Sequence, residues 1–385
     1  MLINPYLLDT ATPPIPEAQT WARSYAGAAG PLIDLSQAVP GYPPHPDLLQ
    51  RIGTAGLASA TASYGPIEGD ATLRQSYAAH VAARYDAEVS AAEVAITTGC
   101  NQAFFVAAIA VARAGDNVLL PSPWYFNHKM TLDMLGVEAR PLPCDPEAGF
   151  VPDAAVAEAL IDTRTRAIVL VTPNNPTGAV YPPQVIAAFA ELCVRRGLTL
   201  ILDETYRDFI AERPHALFSN AEQRRHLLAL YSFSKAYCVP GHRLGALIAP
   251  VPALEQIAKI LDTLQICAPR VAQAPVAWAL EALTGWRAAN RTEIERRADA
   301  FRQAFAGVNG WQIGSIGSYF AFLRHPFDGR AAAEVARALV QERGVLALPG
   351  PWFGPGQERH LRVAFANVDV AALASLRERF AGFSL

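Results

Sequence analysis

The chain has 385 residues, is 51% hydrophobic and 17% charged, and carries a formal net charge of −3. That apolar fraction excludes a disordered chain, and the near-balanced charge leaves no basic footprint for a nucleic acid. Of its 32 basic residues only Lys129, Lys235 and Lys259 are lysines, so chemistry that needs an amine has few sources.

Residues 1–45 read as loop, because Pro13, Pro14, Pro16, Pro40, Pro43 and Pro44 punctuate them. The opening MLINPYLLDT has no basic segment ahead of its apolar residues, which argues against a secretory signal. Residues 71–85 have the spacing of an amphipathic helix. VAITTG (94–99) reads as a short strand running into a turn, and 101–112 as a buried helix closed by Gly115. The apolar run 103–112 is the longest in the chain and about half of the ~20 residues a membrane span needs. NVLLPSP is a strand ending on prolines.

AIVLV (167–171) is a continuous apolar run of strand length, as expected for a strand buried on both faces. TPNNPTG follows as a turn, then a helix over 184–196 with Gly197 past its end. LTLIL (198–202), HLLALYSF and RLGALIAP give further strands. This alternation predicts an α/β fold whose large domain has a mostly parallel sheet covered by helices. The last hundred or so residues differ: helices over 286–305, 330–343 and 369–380 are interleaved with the strands SYFAFLR and HLRVAFA. They suggest a smaller α+β domain. The expected division is an N-terminal arm and part of the small domain at 1–45, the large domain at 46–280 and the small domain at 281–385.

The five cysteines, Cys100, Cys144, Cys193, Cys238 and Cys267, are scattered and form no CxxC or zinc spacing. They fit reduced thiols in a cytoplasmic protein, with no metal site.

Ligands of open α/β sheets sit beyond the carboxyl ends of the strands. Gly99, Cys100 and Asn101 follow VAITT at the start of a helix. Asn174 and Asn175 follow AIVLV, Asp203, Glu204 and Tyr206 follow LTLIL, and Ser234 and Lys235 follow LALYSF. Singly, each also fits a cap, a turn or a surface charge. Together they offer one crevice an anion-binding turn, an amide, a carboxylate and an amine.

In this order the motifs YGPIEGDATLR (64–74), TTGCNQAF (97–104), NNPTG (174–178), DETY (203–206), SFSKAYCVPGHRLG (232–245) and HLRVAF (360–365) resemble the pyridoxal-phosphate-dependent aminotransferases of class I and II, the fold-type-I, aspartate aminotransferase-like group. The resemblance spans nearly the whole chain. It implies pyridoxal 5′-phosphate as cofactor and Lys235 as the Schiff-base lysine and proton carrier. It implies Asp203 beside the ring nitrogen, and Asn175 and Tyr206 on the ring oxygen. Gly99, Cys100, Asn101, Ser232, Ser234 and Arg243 would hold the phosphate. Tyr125 would stack on the ring, with Trp124 as the competing candidate. Arg362 would clamp the substrate carboxylate, assisted by Asn175 and by backbone near Ala38 and Val39; many relatives have glycine at Ala38. Tyr64 would reach the phosphate of a neighbouring subunit, which makes the expected unit a homodimer with shared sites.

The implied activity is transfer of an amino group from an L-amino acid to a 2-oxo acid by a ping-pong cycle. A carbon–sulfur β-lyase or related elimination enzyme on the same scaffold uses the same cofactor residues and remains the alternative. A DNA-binding regulator of this scaffold lacks support, since no helix-turn-helix pattern or basic patch is present. A nicotinamide dehydrogenase lacks its GxGxxG turn. For the substrate side chain, the resemblance points to the N-terminal loop, to residues around Tyr64 and to the ICAPR loop of the partner subunit, where Arg270 of the partner subunit is a candidate to meet an acid; Tyr6, Trp124 and Tyr319 are candidate pocket walls.

Overall fold

The computed structural model describes residues 2–385. Seven strands form the main sheet: β1 (Val94–Thr97), β2 (Asn117–Ser122), β3 (Glu138–Pro143), β4 (Thr165–Val171), β5 (Thr199–Asp203), β6 (Leu227–Ser232) and β7 (Gly245–Ile248). Their order is β1-β7-β6-β5-β4-β2-β3. The run from β6 to β3 is parallel, and β7 is antiparallel to both of its neighbours.

The central strands are apolar throughout because both faces are covered, and their side chains alternate between two cores. Ile168 and Leu170 of β4 join one core with Leu73, Phe189 and Val276 from the helices Ala71–Tyr85, Pro183–Arg196 and Gln273–Ala282. Val169 and Val171 join the other with Phe104, Leu132 and Leu261 from the helices Cys100–Val111, Phe126–Met134 and Val251–Gln265. The edge strand β3, EARPLP, was not anticipated; Pro141 and Pro143 are tolerated there because β3 pairs on one side only, with β2.

The antiparallel β7 has a local cause. A parallel return needs a crossover of a dozen or more residues, usually a full helix. The β6–β7 connection holds only two short helical turns, Phe233–Ala236 and Pro240–His242. The chain therefore doubles back, and Ser232 pairs with Gly245, which also pairs with Thr97. One edge of the sheet thus gathers the ends of β1 and β6 and the start of β7.

The smaller domain has an antiparallel sheet of β8 (Gln312–Gly317), β9 (Phe320–Arg324), β10 (Leu348–Pro349) and β11 (His360–Val363), ordered β10-β11-β9-β8. The helices Thr284–Phe305, Ala332–Arg343 and Val370–Phe380 cover it around a core that includes Phe301, Leu339 and Phe380.

The first 45 residues are not the loop that their prolines suggest. They contain the helices Pro5–Asp9 and Ile15–Arg23, and Ile33–Asp34 pairs in parallel with Val345–Leu346 of the small domain. Pro5 and Pro16 stand in first helical turns, where no intrahelical N–H bond is lost. Ala18 and Trp21, at 0% and 6% exposure, bury the second helix in the small-domain core.

Candidate active site

A cleft of about 430 Å³ opens at the carboxyl ends of β4, β5 and β6 and is closed by Arg362 of the small domain. Asp203 ends β5 and lies two residues beyond Ile201, so its side chain turns to the face that Ile201 occupies. There Thr205 donates to Oδ1 from its backbone N–H at 3.0 Å and from its hydroxyl at 2.7 Å. His128 Nε2 lies 3.3 Å from Oδ2, and its ring stacks on Phe104 with centroids 3.8 Å apart. Burial pushes the Asp203 carboxyl up, but His128 and Thr205 more than offset this, and the net shift is downward. The carboxylate is anionic at neutral pH.

Lys235 sits on the short helix Phe233–Ala236 that follows β6 directly, and Ser232 caps that helix by accepting from Ser234 N–H at 3.3 Å. Its half-buried Nζ donates to the carbonyl of Ala38. Burial, reinforced by the nearby Arg243 and Arg362 guanidinium groups, lowers its pKa from 10.5 to about 8.

The NNPTG turn divides its asparagines between two tasks. Asn174 builds the turn: its Oδ1 accepts from Thr177 N–H at 3.1 Å and from Thr177 Oγ1 at 2.8 Å. Asn175 faces the cleft, and its Oδ1 accepts from Arg362 Nη1 at 3.2 Å. Gly178 closes the turn at φ +77°, where a Cβ would lie 2.2 Å from the Phe320 carbonyl oxygen.

Arg362 is buried on β11, stands over the rings of Phe353 and Phe320 at 4.9 and 5.1 Å, and donates from Nη2 to Ser36 O. Burial lowers its pKa to about 10, so it keeps its charge through neutral pH. Tyr206 is buried beside Tyr319 and Phe320, at 5.2 Å from each ring, and burial raises its hydroxyl pKa well above the usual phenol value.

The helix Cys100–Val111 begins at the cleft, with Cys100 and Asn101 in the wall. Gly99 precedes it at φ +80°, and a Cβ there would lie 2.5 Å from Arg243 Nη2. Glycine therefore lets the guanidinium approach the helix start, where the first backbone N–H groups have no intrahelical acceptor. The buried Ser234 hydroxyl of the neighbouring helix and, separately, Nε of Arg362 on β11 have no hydrogen-bond partner among the described residues. A cationic corner with unsatisfied donors is an environment that selects an anion.

Tyr125 lines the cleft; its hydroxyl donates to Asn101 Oδ1 at 3.4 Å and accepts from Asn127 Nδ2 at 2.8 Å. Trp124 turns away into a separate cavity of about 490 Å³ beside Trp352. Tyr64 is outside this cleft, 77% exposed.

The suggested substrate-pocket walls are corrected. Tyr6 packs beside Gly136, and Tyr319 is fully buried behind Tyr206. Neither these two nor Trp124 line the cleft. Arg270 is engaged by Asp70 at 3.1 Å and by the carbonyls of Ala60 and Ser63 at 2.6 and 3.2 Å. The cleft instead presents Pro13, Ile15, Val39, Phe126 and Asn127. His128, Thr205, Pro13, Ile15, Phe126 and Asn127 were missed as site residues, and Val39 was expected there only for its backbone. The only sequence signal for His128 was its place one turn after Tyr125.

A large, mostly parallel sheet with an amine, a carboxylate and the Arg243 guanidinium at one edge, faced by the Arg362 guanidinium of the small domain, is the arrangement of a fold-type-I cofactor enzyme. Residues 30–380 match the family described as aminotransferase class I and II, and the chain belongs to that family. It is 29% identical over 358 residues to the aromatic aminotransferase ISS1 of Arabidopsis thaliana, covering 90% of this chain and 89% of that protein. It is also 29% identical over 359 residues to the aspartate/prephenate aminotransferase of Thermus thermophilus, covering 91% of each. The structure of Thermus thermophilus aspartate aminotransferase with maleate superimposes with a TM-score of 0.90 at 26% identity, over 99% of both chains. The protein is an enzyme of the transaminase class, its substrates are amino acids and 2-oxo acids, and its cofactor is pyridoxal phosphate. The free donors at the cationic corner, the anionic Asp203 and the Lys235 amine fit that cofactor. Among the described residues, no helix is long and apolar enough to cross a membrane.

Proposed function

We propose that this transaminase moves an amino group from an L-amino acid to a 2-oxo acid by a ping-pong cycle, with Lys235 as the Schiff-base lysine. Pyridoxal phosphate, when bound, supplies the carbonyl that takes up the amino group and a ring that stores electrons from the substrate Cα. Asp203 would keep a proton on the ring nitrogen, because an anionic carboxylate stabilises the charged form of its neighbour. Asn175 and Tyr206 would bind the ring oxygen, and Tyr125 would lie against the ring. The start of the helix Cys100–Val111, preceded by Gly99, would hold the phosphate with Asn101, Ser232, Ser234 and Arg243. Arg362 binds the substrate α-carboxylate, aided by Asn175 and the backbone at Ala38.

With the cofactor bound, Lys235 would take the proton from the donor Cα and deliver it across the intervening nitrogen, at the former carbonyl carbon of the cofactor. A pKa of about 8 suits this task, since a base near the working pH both accepts and gives up a proton. The observation that carries the reading is the convergence of the Lys235 amine, the Asp203 carboxylate and the Arg362 guanidinium on one cleft from three different elements.

The exposed Tyr64 ring supports a homodimer in which each subunit completes the other's site. The free cysteines are in keeping with a cytoplasmic protein. The separate cores support dividing the chain at 45 and 280.

Initial rates with donor and acceptor varied together test the cycle. Parallel double-reciprocal lines are expected; intersecting lines would rule out ping-pong transfer.

A further inference from the structure

The loop over residues 35–41 meets both groups that the proposed function assigns to the reacting amine and the substrate carboxylate. Ser36 O accepts from Arg362 Nη2, and Ala38 O accepts from Lys235 Nζ. Gln37, Ala38 and Val39 line the cleft. The loop belongs to no helix or strand. Its path is therefore set by where its backbone groups find partners.

Those partners come from the small domain. Ala364 N–H donates to Leu35 O at 2.8 Å, and Gly41 N–H donates to Ala366 O at 3.1 Å. Between them the Asn367 amide bridges two points of the chain. Its Oδ1 accepts from Val39 N–H at 3.1 Å, and its Nδ2 donates to Asp34 O at 3.3 Å. Asn367 ends the helical turn Phe365–Asn367, which follows closely on β11. One stretch of the small domain thus grips the loop twice, Arg362 at the Ser36 carbonyl and Asn367 at the Val39 amide. The buried Arg297 of the helix Thr284–Phe305 braces this grip. It donates to Ala366 O at 2.7 Å and to Gly41 O at 3.4 Å, and Glu293 holds its Nε at 2.8 Å. A Cβ on Gly41 would lie 2.6 and 2.7 Å from the Asn367 and Ala366 carbonyl oxygens, so glycine lets the loop seat this closely. All of these contacts lie within one chain and stand whatever a second subunit adds to the cleft.

We propose that Asn367 is a positioning residue for the substrate α-carboxylate: by bridging Val39 N–H and Asp34 O it sets the Ser36–Val39 backbone against Arg362. The inference rests on the aminotransferase reading of this cleft, in which Arg362 and that backbone bind the carboxylate together. The Ser36 bond engages the guanidinium that a substrate carboxylate would use. The Asn367 bridge draws on no group of the reaction, so it holds the loop before and after substrate enters. Without it, Val39 N–H loses its acceptor, and the loop keeps its place only through its outer ties at Leu35 and Gly41. A carboxylate that needs two partners at fixed separation then binds less well.

The test compares the cofactor-loaded unaltered enzyme with Asn367→Ala, using the amino acid that the unaltered enzyme converts fastest. The spectrum of the bound cofactor is followed against donor concentration in single half-reactions. KM is expected to rise about tenfold or more while kcat stays within about threefold, because a contact made equally to substrate and transition state is read in KM. Asn367→Ser, whose side chain is too short to bridge Val39 and Asp34, is expected to do the same and takes the place of Asn367→Ala should that variant not fold. A merely structural role would lower the melting temperature and cofactor retention without moving KM. A KM within about threefold of the unaltered value, whatever the change in melting temperature, would overturn the inference while leaving aminotransfer standing. Absence of cofactor conversion by the unaltered enzyme with every amino acid offered would instead overturn the aminotransferase reading and this inference with it.

Discussion

His128 Nε2 stands 3.3 Å from Asp203 Oδ2, on the side of the carboxylate that Thr205 leaves free. Without His128, burial would raise the Asp203 carboxyl with less to oppose it. His128→Ala is expected to lower kcat by about 10- to 100-fold, in line with about 1.5–3 kcal/mol for a hydrogen bond to a buried charge. The acidic limb of the pH–rate profile should move to higher pH, because the anionic carboxylate forms later as pH rises. His128→Asn, which still offers a donor, should recover part of both effects. An unmoved acidic limb in His128→Ala would remove His128 from this role.

Lys235→Ala should eliminate the visible-edge absorbance of the lysine-linked cofactor and reduce turnover by more than about 1,000-fold. In the unaltered protein stripped of cofactor, the rate of covalent cofactor capture should rise with pH and level off above about 8, where the amine is neutral. A rise that continues towards 10.5, the ordinary value, would show that the lysine is not perturbed by burial and by the nearby Arg243 and Arg362.

Arg362→Ala should reduce kcat/KM for amino acids by about 100-fold or more, the loss of a paired charge contact in a buried site. Simple amines, which bring no carboxylate, should lose far less. Arg362→Lys should restore little, since an ammonium cannot reproduce the planar two-point contact. Equal losses for amino acids and amines would contradict the clamp.

Gly178→Ala forces a Cβ against the Phe320 carbonyl in a backbone region that favours glycine. A stability loss of at least about 2 kcal/mol is expected, read as a lower melting temperature or denaturant midpoint. Because Asn175 belongs to the same turn, cofactor retention should fall in parallel. A melting temperature equal to that of the unaltered protein would refute the tight contact.

The chemistry was legible in the sequence because the buried strands are continuous apolar runs and the polar residues begin where they stop. Ala167–Val171 gives way to Asn174 and Asn175, and the run ending at Leu202 gives way to Asp203. Position along the chain therefore reported position at the sheet edge. Local pattern did not carry the rest. Pro141 and Pro143 disguised an edge strand, and Pro13, Pro14 and Pro16 disguised a helix that is held by burial of Trp21. Trp124 and Tyr125 are adjacent in sequence, yet they line different cavities. Ile15, Val39 and Phe126 are ordinary apolar residues that meet only because the N-terminal helix docks on the small domain and reaches the cleft.

The central claim is amino transfer through the Lys235 site, and one half-reaction tests it most directly. The cofactor-loaded enzyme is mixed with an amino donor in the absence of any 2-oxo acid, and the products are assayed. Conversion of the bound cofactor to its aminated form, with one equivalent of the matching 2-oxo acid and no free ammonia, is the predicted result. Release of ammonia with the cofactor unchanged would contradict transfer and identify an elimination enzyme on the same scaffold.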